Sequence, residues 1–162
     1  MSVPEPHRPR FDASYGISAA AEGLLPWSEL SAAFEKSRNY WIGSTRPDGR
    51  PHAAPVWGVW LDEVLYFSTG PNSVKGRNLA ARPDVVVHLE SGDDVYMIEG
   101  AVERVTDRAI LARFADAYDA KYGWRVNPED PGGLYYAIRP KAAYAWHEKS
   151  FPESATAWRL GS

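Results

Sequence analysis

Apolar and polar positions along this chain follow one period and then another. Between residues 26 and 38, Trp27, Leu30, Ala33 and Phe34 recur at helical spacing, and Pro26 suits a helix start, so a short helix is predicted over 26–38. From residue 39 the spacing shortens. Residues 39–44 (NYWIGS) are rich in strand formers and lead into Arg46-Pro47-Asp48-Gly49, a turn signal with proline second and glycine fourth. Residues 52–61 (HAAPVWGVWL) predict a second strand, in which Pro55 and Gly58 mark an edge, a bulge or a close backbone approach. Asp62-Glu63 turns the chain and 64–68 (VLYFS) returns as a third strand. Residues 69–83 read as a loop feeding a short helix that Pro83 ends. Strands follow at 85–89 and 95–105, the latter with a bulge expected at Gly100. Thr106 is the expected cap of a helix over 107–121, striped by Ile110, Leu111, Phe114, Tyr118 and Tyr122. A loop at 127–133 precedes a sixth strand, 134–146, bent at Pro140, and a seventh at 155–160. Residues 1–24, with Pro4, Pro6, Pro9, Gly16 and Gly23 and no period, are expected to form a mobile or partner-wrapping arm.

Seven short strands with two or three helices predict one domain, 25–162, built as a closed or partly closed antiparallel barrel with helices outside. A doubly wound sheet is excluded, because the strands follow one another too closely for crossover helices.

Composition narrows the chemistry. The 162 residues include no cysteine, which excludes a disulfide scaffold, a thiol nucleophile and cysteine-ligated metal. Eighteen Lys+Arg against 21 Asp+Glu give a net charge of −3, without the basic excess of a general nucleic-acid binder. The start (MSVPEPHRPR) lacks the apolar run of a signal peptide, and no stretch approaches the ~20 apolar residues of a membrane helix, so the expectation is a soluble cytoplasmic protein without membrane or nucleic-acid partners. His7, His52, His88 and His147 share no metal-ligand spacing, and no metal is expected. Aromatics at 13% imply large flat surfaces to bury against one another, a partner subunit or a planar ligand; Tyr135, Tyr136 and Trp146 fit either barrel filling or the lining of a ligand.

The segment 68–78 (STGPNSVKGRN) is the most informative. A strand ends in two hydroxyls, a Gly-Pro loop follows, Ser73 stands where a helix cap should, and Lys75 and Arg77 occupy the first turn. Cations belong at the other pole of a helix; here they cost a few tenths of a kcal/mol unless an anion sits with them. A phosphate monoester, with about −1.5 to −2 charges, suits two cations and a group of hydroxyls. The spacing is not that of a Walker loop. On residues 52–58 (HAAPVWG), small side chains leave a strand against which a flat ring can lie.

From about residue 27 to 160 the chain resembles the pyridoxamine 5′-phosphate oxidase-like family of flavin- and deazaflavin-binding split barrels. The resemblance rests on NYWIGSTRPDGRPHAAPVWGVW, LYFSTGPNSVKGRNLAARPDVVVHLE, VYMIEGAVERV and AYAWHEKSFPESATAWRL, and is nearest to the actinobacterial branch that uses the deazaflavin coenzyme F-420 in place of FMN. It implies a mainly β fold with α, an antiparallel split β-barrel (FMN-binding split barrel) with peripheral helices. It also implies a homodimer with cofactor sites at the subunit interface. By the same resemblance, Ser68, Thr69, Ser73, Lys75 and Asn78 hold the cofactor phosphate, with Arg77 and His52 beside them, and the ring lies along Ala54, Pro55, Val56 and Trp57. His52 stands where family members often carry an arginine, and Thr156-Ala157-Trp158-Arg159 departs from a frequent Thr-Arg-Trp ending. The implied activity is an oxidoreductase passing a hydride between reduced F-420 and a small planar or unsaturated substrate. The alternatives are an FMN-dependent oxidase or reductase and a non-catalytic flavin or deazaflavin carrier. No second basic cluster offers itself for a substrate phosphate, which sets the chain apart from pyridoxamine phosphate oxidation itself.

Overall fold

The computed structural model describes residues 2–161; Met1 of the expected arm and Ser162 at the end of the expected domain lie outside them. Helix α1 (Trp27–Lys36) buries Trp27, Leu30 and Phe34, three of the residues whose spacing predicts it. Among the described residues nine strands follow: β1 (Tyr40–Thr45), β2 (Pro51–Val56), β3 (Gly58–Leu61), β4 (Val64–Thr69), β5 (Asp84–His88), β6 (Asp94–Arg104), β7 (Leu134–Ile138), β8 (Ala142–His147) and β9 (Thr156–Arg159). Helices α2 (Val74–Ala81) and α3 (Arg108–Tyr122) interrupt them, and a short α4 (Phe151–Ser154), absent from the sequence pattern, precedes β9.

All pairings are antiparallel, in the order β2-β1-β5-β6-β7-β4-β3, with β8 on β6 and β9 on β8. Strands β2 and β3 are consecutive in the chain yet stand at the two ends of this order. The sheet therefore curls round on itself, and the seam of the barrel runs between them. The chain forms a mainly β, antiparallel split barrel with peripheral helices.

Two of the seven predicted strands divide. The run 52–61 breaks at Trp57 because Gly58 changes partners. Its N–H donates to Tyr122 Oη (3.0 Å) and its carbonyl accepts from Lys121 Nζ (2.9 Å), so helix α3 satisfies the backbone where the chain leaves β1 for β4. The run 134–146 breaks at Pro140. Ile138 faces Val102 and Ala142 faces Glu99, so three residues, 139–141, oppose two, 100–101. The bulge expected at Gly100 thus lies on the opposite strand; Gly100 makes room for it, since a Cβ there would stand 2.5 Å from the Arg139 carbonyl oxygen. The cap of α3 is Asp107, not Thr106: its carboxylate accepts from Ile110 N at 3.0 Å.

One core fills the barrel with Phe34, Tyr40, Ile42, Leu65, Phe67, Ile98, Ile138 and Trp158; a second, with Val59, Tyr66, Phe114 and Tyr135, lies under α3. Tyr135 and Tyr136 belong to these cores, and Trp146 packs on Phe11 and Phe151. Residues expected as a mobile or partner-wrapping arm lie on their own chain. His7 and Ala157 exchange backbone hydrogen bonds, and the Arg8 guanidinium donates to the carbonyls of Ala20, Glu22, Glu153 and Ala155. His147 is structural: its ring nitrogens each stand 2.7 Å from a carboxylate, Glu29 of α1 and Asp94 of β6.

Candidate cofactor site

Strand β4 ends in the half-buried hydroxyls of Ser68 and Thr69, and the chain turns through Gly70-Pro71-Asn72 into α2. Ser73 caps the helix as the sequence predicts. Its Oγ accepts from Gly76 N (2.9 Å) and donates to the Gly70 carbonyl (2.8 Å). Ser73 has one proton and Gly70 takes it, so Thr69 is the donor in the 3.1 Å contact between the two hydroxyls. These two hydroxyls shape the turn. The groups left to meet an anion are the Ser68 hydroxyl, the two cations, and the N–H groups of Val74 and Lys75, which have no carbonyl four residues back within the helix.

Lys75 and Arg77 stand uncompensated. No acidic residue occupies the first turn of α2, and among the described residues neither cation forms an ion pair. Arg77 is exposed; Lys75 is half-buried, and burial alone lowers its pKa from the ordinary lysine value. A lone amine held partly out of water at the positive pole of a helix is destabilised there, and an anion relieves both penalties at once.

Gly76 is a residue that motif reading passes over. A Cβ on it would lie 2.2 Å from the Gly70 carbonyl oxygen, so only glycine lets the first turn of α2 nest on the loop after β4. Asn78 is the other anchor. It is 1% exposed, and its amide donates to Ser44 Oγ of β1 at 3.0 Å. The structure therefore places Asn78 under the helix, holding α2 to the sheet, while Lys75 and Arg77 remain free.

Strand β2 supplies the second half of the site. Pro51, Ala53 and Pro55 share one parity, opposite Thr45, Gly43 and Trp41 of β1. A proline nitrogen has no hydrogen to give a ladder, so this parity points away from β1, toward the seam. The free edge offers three carbonyls, of Pro51, Ala53 and Pro55, and a single N–H, that of Ala53. Ala54 and Val56 turn inward, Val56 buried and Ala54 partly so; Pro55 is exposed. His52, cross-strand neighbour of Ser44, carries a buried Nδ1 with no hydrogen-bond partner, and its end of the strand borders a cleft of about 750 Å³. Trp57 stands at the seam, 38% exposed, stacked on Tyr122 with ring centroids 4.5 Å apart. A phosphate-bearing planar cofactor fits what is present: an orphaned imidazole nitrogen, an unpaired strand edge, and two cations with free helix N–H groups.

Beside Trp57, Lys121 is held down to about 8 by burial and then by Arg38. Its ordinary value is 10.5. Between those values the unfolded chain holds the proton more tightly, so stability from this group rises with pH; the penalty is full below the lower value and gone above the higher. The urea midpoint of the natural protein is therefore expected to rise, relative to Lys121→Met, from pH 8 upward through the lower half of that window, before tyrosines ionise. Parallel pH profiles for the two proteins would contradict this.

The sequence profile of the pyridoxamine 5′-phosphate oxidase family matches residues 27–147. No curated protein matches the chain. Among solved structures, the conserved hypothetical protein Rv2991 from Mycobacterium tuberculosis is similar with a TM-score of 0.69 and 22% identity, over 82% of this chain and 91% of that one. A protein described as an F420 reductase is 27% identical with a TM-score of 0.55, over 70% of this chain and 94% of its own. A heme binding protein from Mycobacterium smegmatis shares 16% identity at a TM-score of 0.59, over 78% of this chain and 60% of that chain. With a family match across most of its length, on the split barrel its strands form, the chain belongs to the pyridoxamine 5′-phosphate oxidase family.

Proposed function

We propose that this protein is an oxidoreductase that binds the deazaflavin coenzyme F-420 at the seam of its barrel and acts on a small planar or unsaturated substrate. The observation that carries the reading is the pair of uncompensated cations, Lys75 and Arg77, at the positive pole of α2, just after β4, whose Phe67 pairs with Gly58 two residues beyond β2. Lys75, Arg77, Ser68 and the first helix N–H groups hold the cofactor phosphate. Thr69, Ser73 and Asn78 act one step back, fixing the turn and the helix. The Ala53 N–H and the neighbouring carbonyls meet the polar edge of the ring, and His52 offers its unpartnered Nδ1. When bound, such a cofactor supplies two-electron hydride transfer to an electron-poor acceptor on its open face. The chain contributes position and dryness rather than an acid–base pair. The similarity to a protein described as an F420 reductase supports F-420; FMN on the same residues is the second reading, supported by the family.

A homodimer completes the site in this reading. The outer face of the sheet carries two parallel rows. Ala53, Gly43, Val86, Glu99 and Ala142 form one row, a trough of mostly small side chains interrupted by the exposed Glu99; Pro55, Trp41, His88, Met97 and Tyr144 form a ridge beside it. Two copies related by a two-fold axis seat ridge in trough.

Stopped-flow mixing of the cofactor-loaded, reduced protein with candidate acceptors tests the activity. Acceptor-dependent reoxidation is the expected result; its absence across quinones, enones, nitroaromatics and flat unsaturated acids would leave a carrier. Ala53→Pro probes the edge. It removes the one N–H on the seam side of β2 and is expected to weaken cofactor binding by ~0.5–1.5 kcal/mol, one hydrogen bond's worth, without loss of fold. Unchanged affinity in a fluorescence titration would remove β2's edge from the site.

A further inference from the structure

A second pair of cations stands without an anion, at the far side of Trp57. Arg38 follows the C-terminus of α1, and Lys121 lies in the last turn of α3. The Arg38 guanidinium carbon is 5.1 Å from the Trp57 ring centroid and 5.5 Å from that of Tyr122. The Lys121 amine is 4.7 Å from the Tyr40 ring centroid and 5.2 Å from Tyr122, so both cations lean on one phenol ring. Lys121 donates to Tyr40 Oη (2.8 Å) and to the Gly58 carbonyl (2.9 Å), leaving one N–H unassigned. Tyr40 in turn donates to the Phe34 carbonyl near the end of α1. Among the described residues neither cation meets a carboxylate at ion-pair distance. At contact distance only ring faces and helix C-termini offset them; the Glu35 carboxylate, which acts on Tyr40, does so from beyond ion-pair distance. That is weak compensation for two like charges held together beside low-dielectric aromatic packing.

Position gives this pair a meaning. Gly58, whose carbonyl takes the lysine, directly follows Trp57, and Trp57 ends the stretch 54–57 along which the ring is placed in the proposed function. We propose that Arg38 and Lys121 hold the carboxylate of a flat, unsaturated acid, whose planar body lies at the Trp57 end of β2. Guanidinium takes a carboxylate through two parallel hydrogen bonds, and the free lysine N–H adds a third. The inference rests on the proposed function for the hydride donor and names the class of acceptor that would face it. It sets such an acid apart from neutral quinones and enones of the same size.

The test needs no cofactor. The purified chain is titrated by calorimetry with 2-naphthoate and with its neutral analogue 2-naphthamide, in the natural protein and in Arg38→Gln, Lys121→Met and Lys75→Ala. Naphthoate is expected to bind about tenfold or more tightly than the amide, the scale of a charged hydrogen bond. Arg38→Gln should remove most of that preference and Lys75→Ala should leave it. Arg38 is exposed and bonds to no other side chain, so its variant decides the matter even where Lys121→Met, which loosens the backbone at Gly58, fails to fold. Equal binding of acid and amide, no naphthoate binding at millimolar concentration, or a preference that survives Arg38→Gln overturns the inference. A preference lost only in Lys75→Ala would place the acid at the α2 pole and overturn it as well. Failure of the cofactor reading shows separately, as an F-420 affinity indifferent to Lys75→Ala.

Discussion

Lys75→Ala is expected to weaken cofactor binding by ~1.5–3 kcal/mol, about tenfold to about 150-fold, while leaving the empty protein at least as stable as before. The two halves of that expectation come from one observation. The Lys75 amine has no carboxylate partner among the described residues, and burial lowers its pKa, so in the empty chain it is a destabilising group. Alanine removes that penalty and the poor placement of a cation at a helix N-terminus together. With a phosphate present the balance reverses, because the lost contact is a charge-assisted hydrogen bond in a partly dry place. Equilibrium titration gives the affinity and urea denaturation the stability. A variant that loses stability without losing affinity would show that Lys75 serves the fold instead.

Gly76→Ala is expected to act on both quantities. The added methyl would stand 2.2 Å from the Gly70 carbonyl oxygen and 3.2 Å from that of Pro71. Both obstacles are backbone, so no side chain can swing aside; either the loop after β4 or the first turn of α2 must move. Forced overpacking of this kind costs about 1–3 kcal/mol of stability. Movement of the turn also carries the Val74 and Lys75 N–H groups off the phosphate, and the hydroxyl chain from Thr69 through Ser73 to Gly76 opens. Cofactor affinity should therefore fall more than in Lys75→Ala. Thermal melts with and without F-420 separate the effects: the variant should melt lower, and added cofactor should raise its midpoint little. A full cofactor-induced shift in Gly76→Ala would mean that the turn is not part of the site.

Most strands, both longer helices and the capped turn at 68–78 were legible in the chain, because each is a local pattern with a local cause. Ser73 caps α2, and the spacing of Trp27, Leu30 and Phe34 builds α1. What the sequence hides is decided by distant partners. The break at Trp57 follows from Lys121 and Tyr122, more than sixty residues further on, satisfying Gly58. The place of Asn78 follows from a buried hydrogen bond to Ser44 that no motif encodes. The same limit applies to the bulge. Gly100 announces a close approach, but only the pairing of β6 with β7 and β8 shows that the extra residue belongs to the strand around Pro140. The two prolines of β2 carry a signal of their own. Placed two strand positions either side of Ala53, they fix which edge of that strand is free.

In the proposed function the uncompensated pole of α2 takes the phosphate of a deazaflavin. Equilibrium titration of the cofactor-free protein with F-420, alongside FMN, in the natural chain and in a Lys75→Ala/Arg77→Ala double variant, tests it most directly. F-420 should bind the natural protein more tightly than FMN, and the double variant should lose at least a hundredfold, about 2.7 kcal/mol. F-420 binding that survives the double substitution, or no binding of either molecule to the natural protein, would contradict the account.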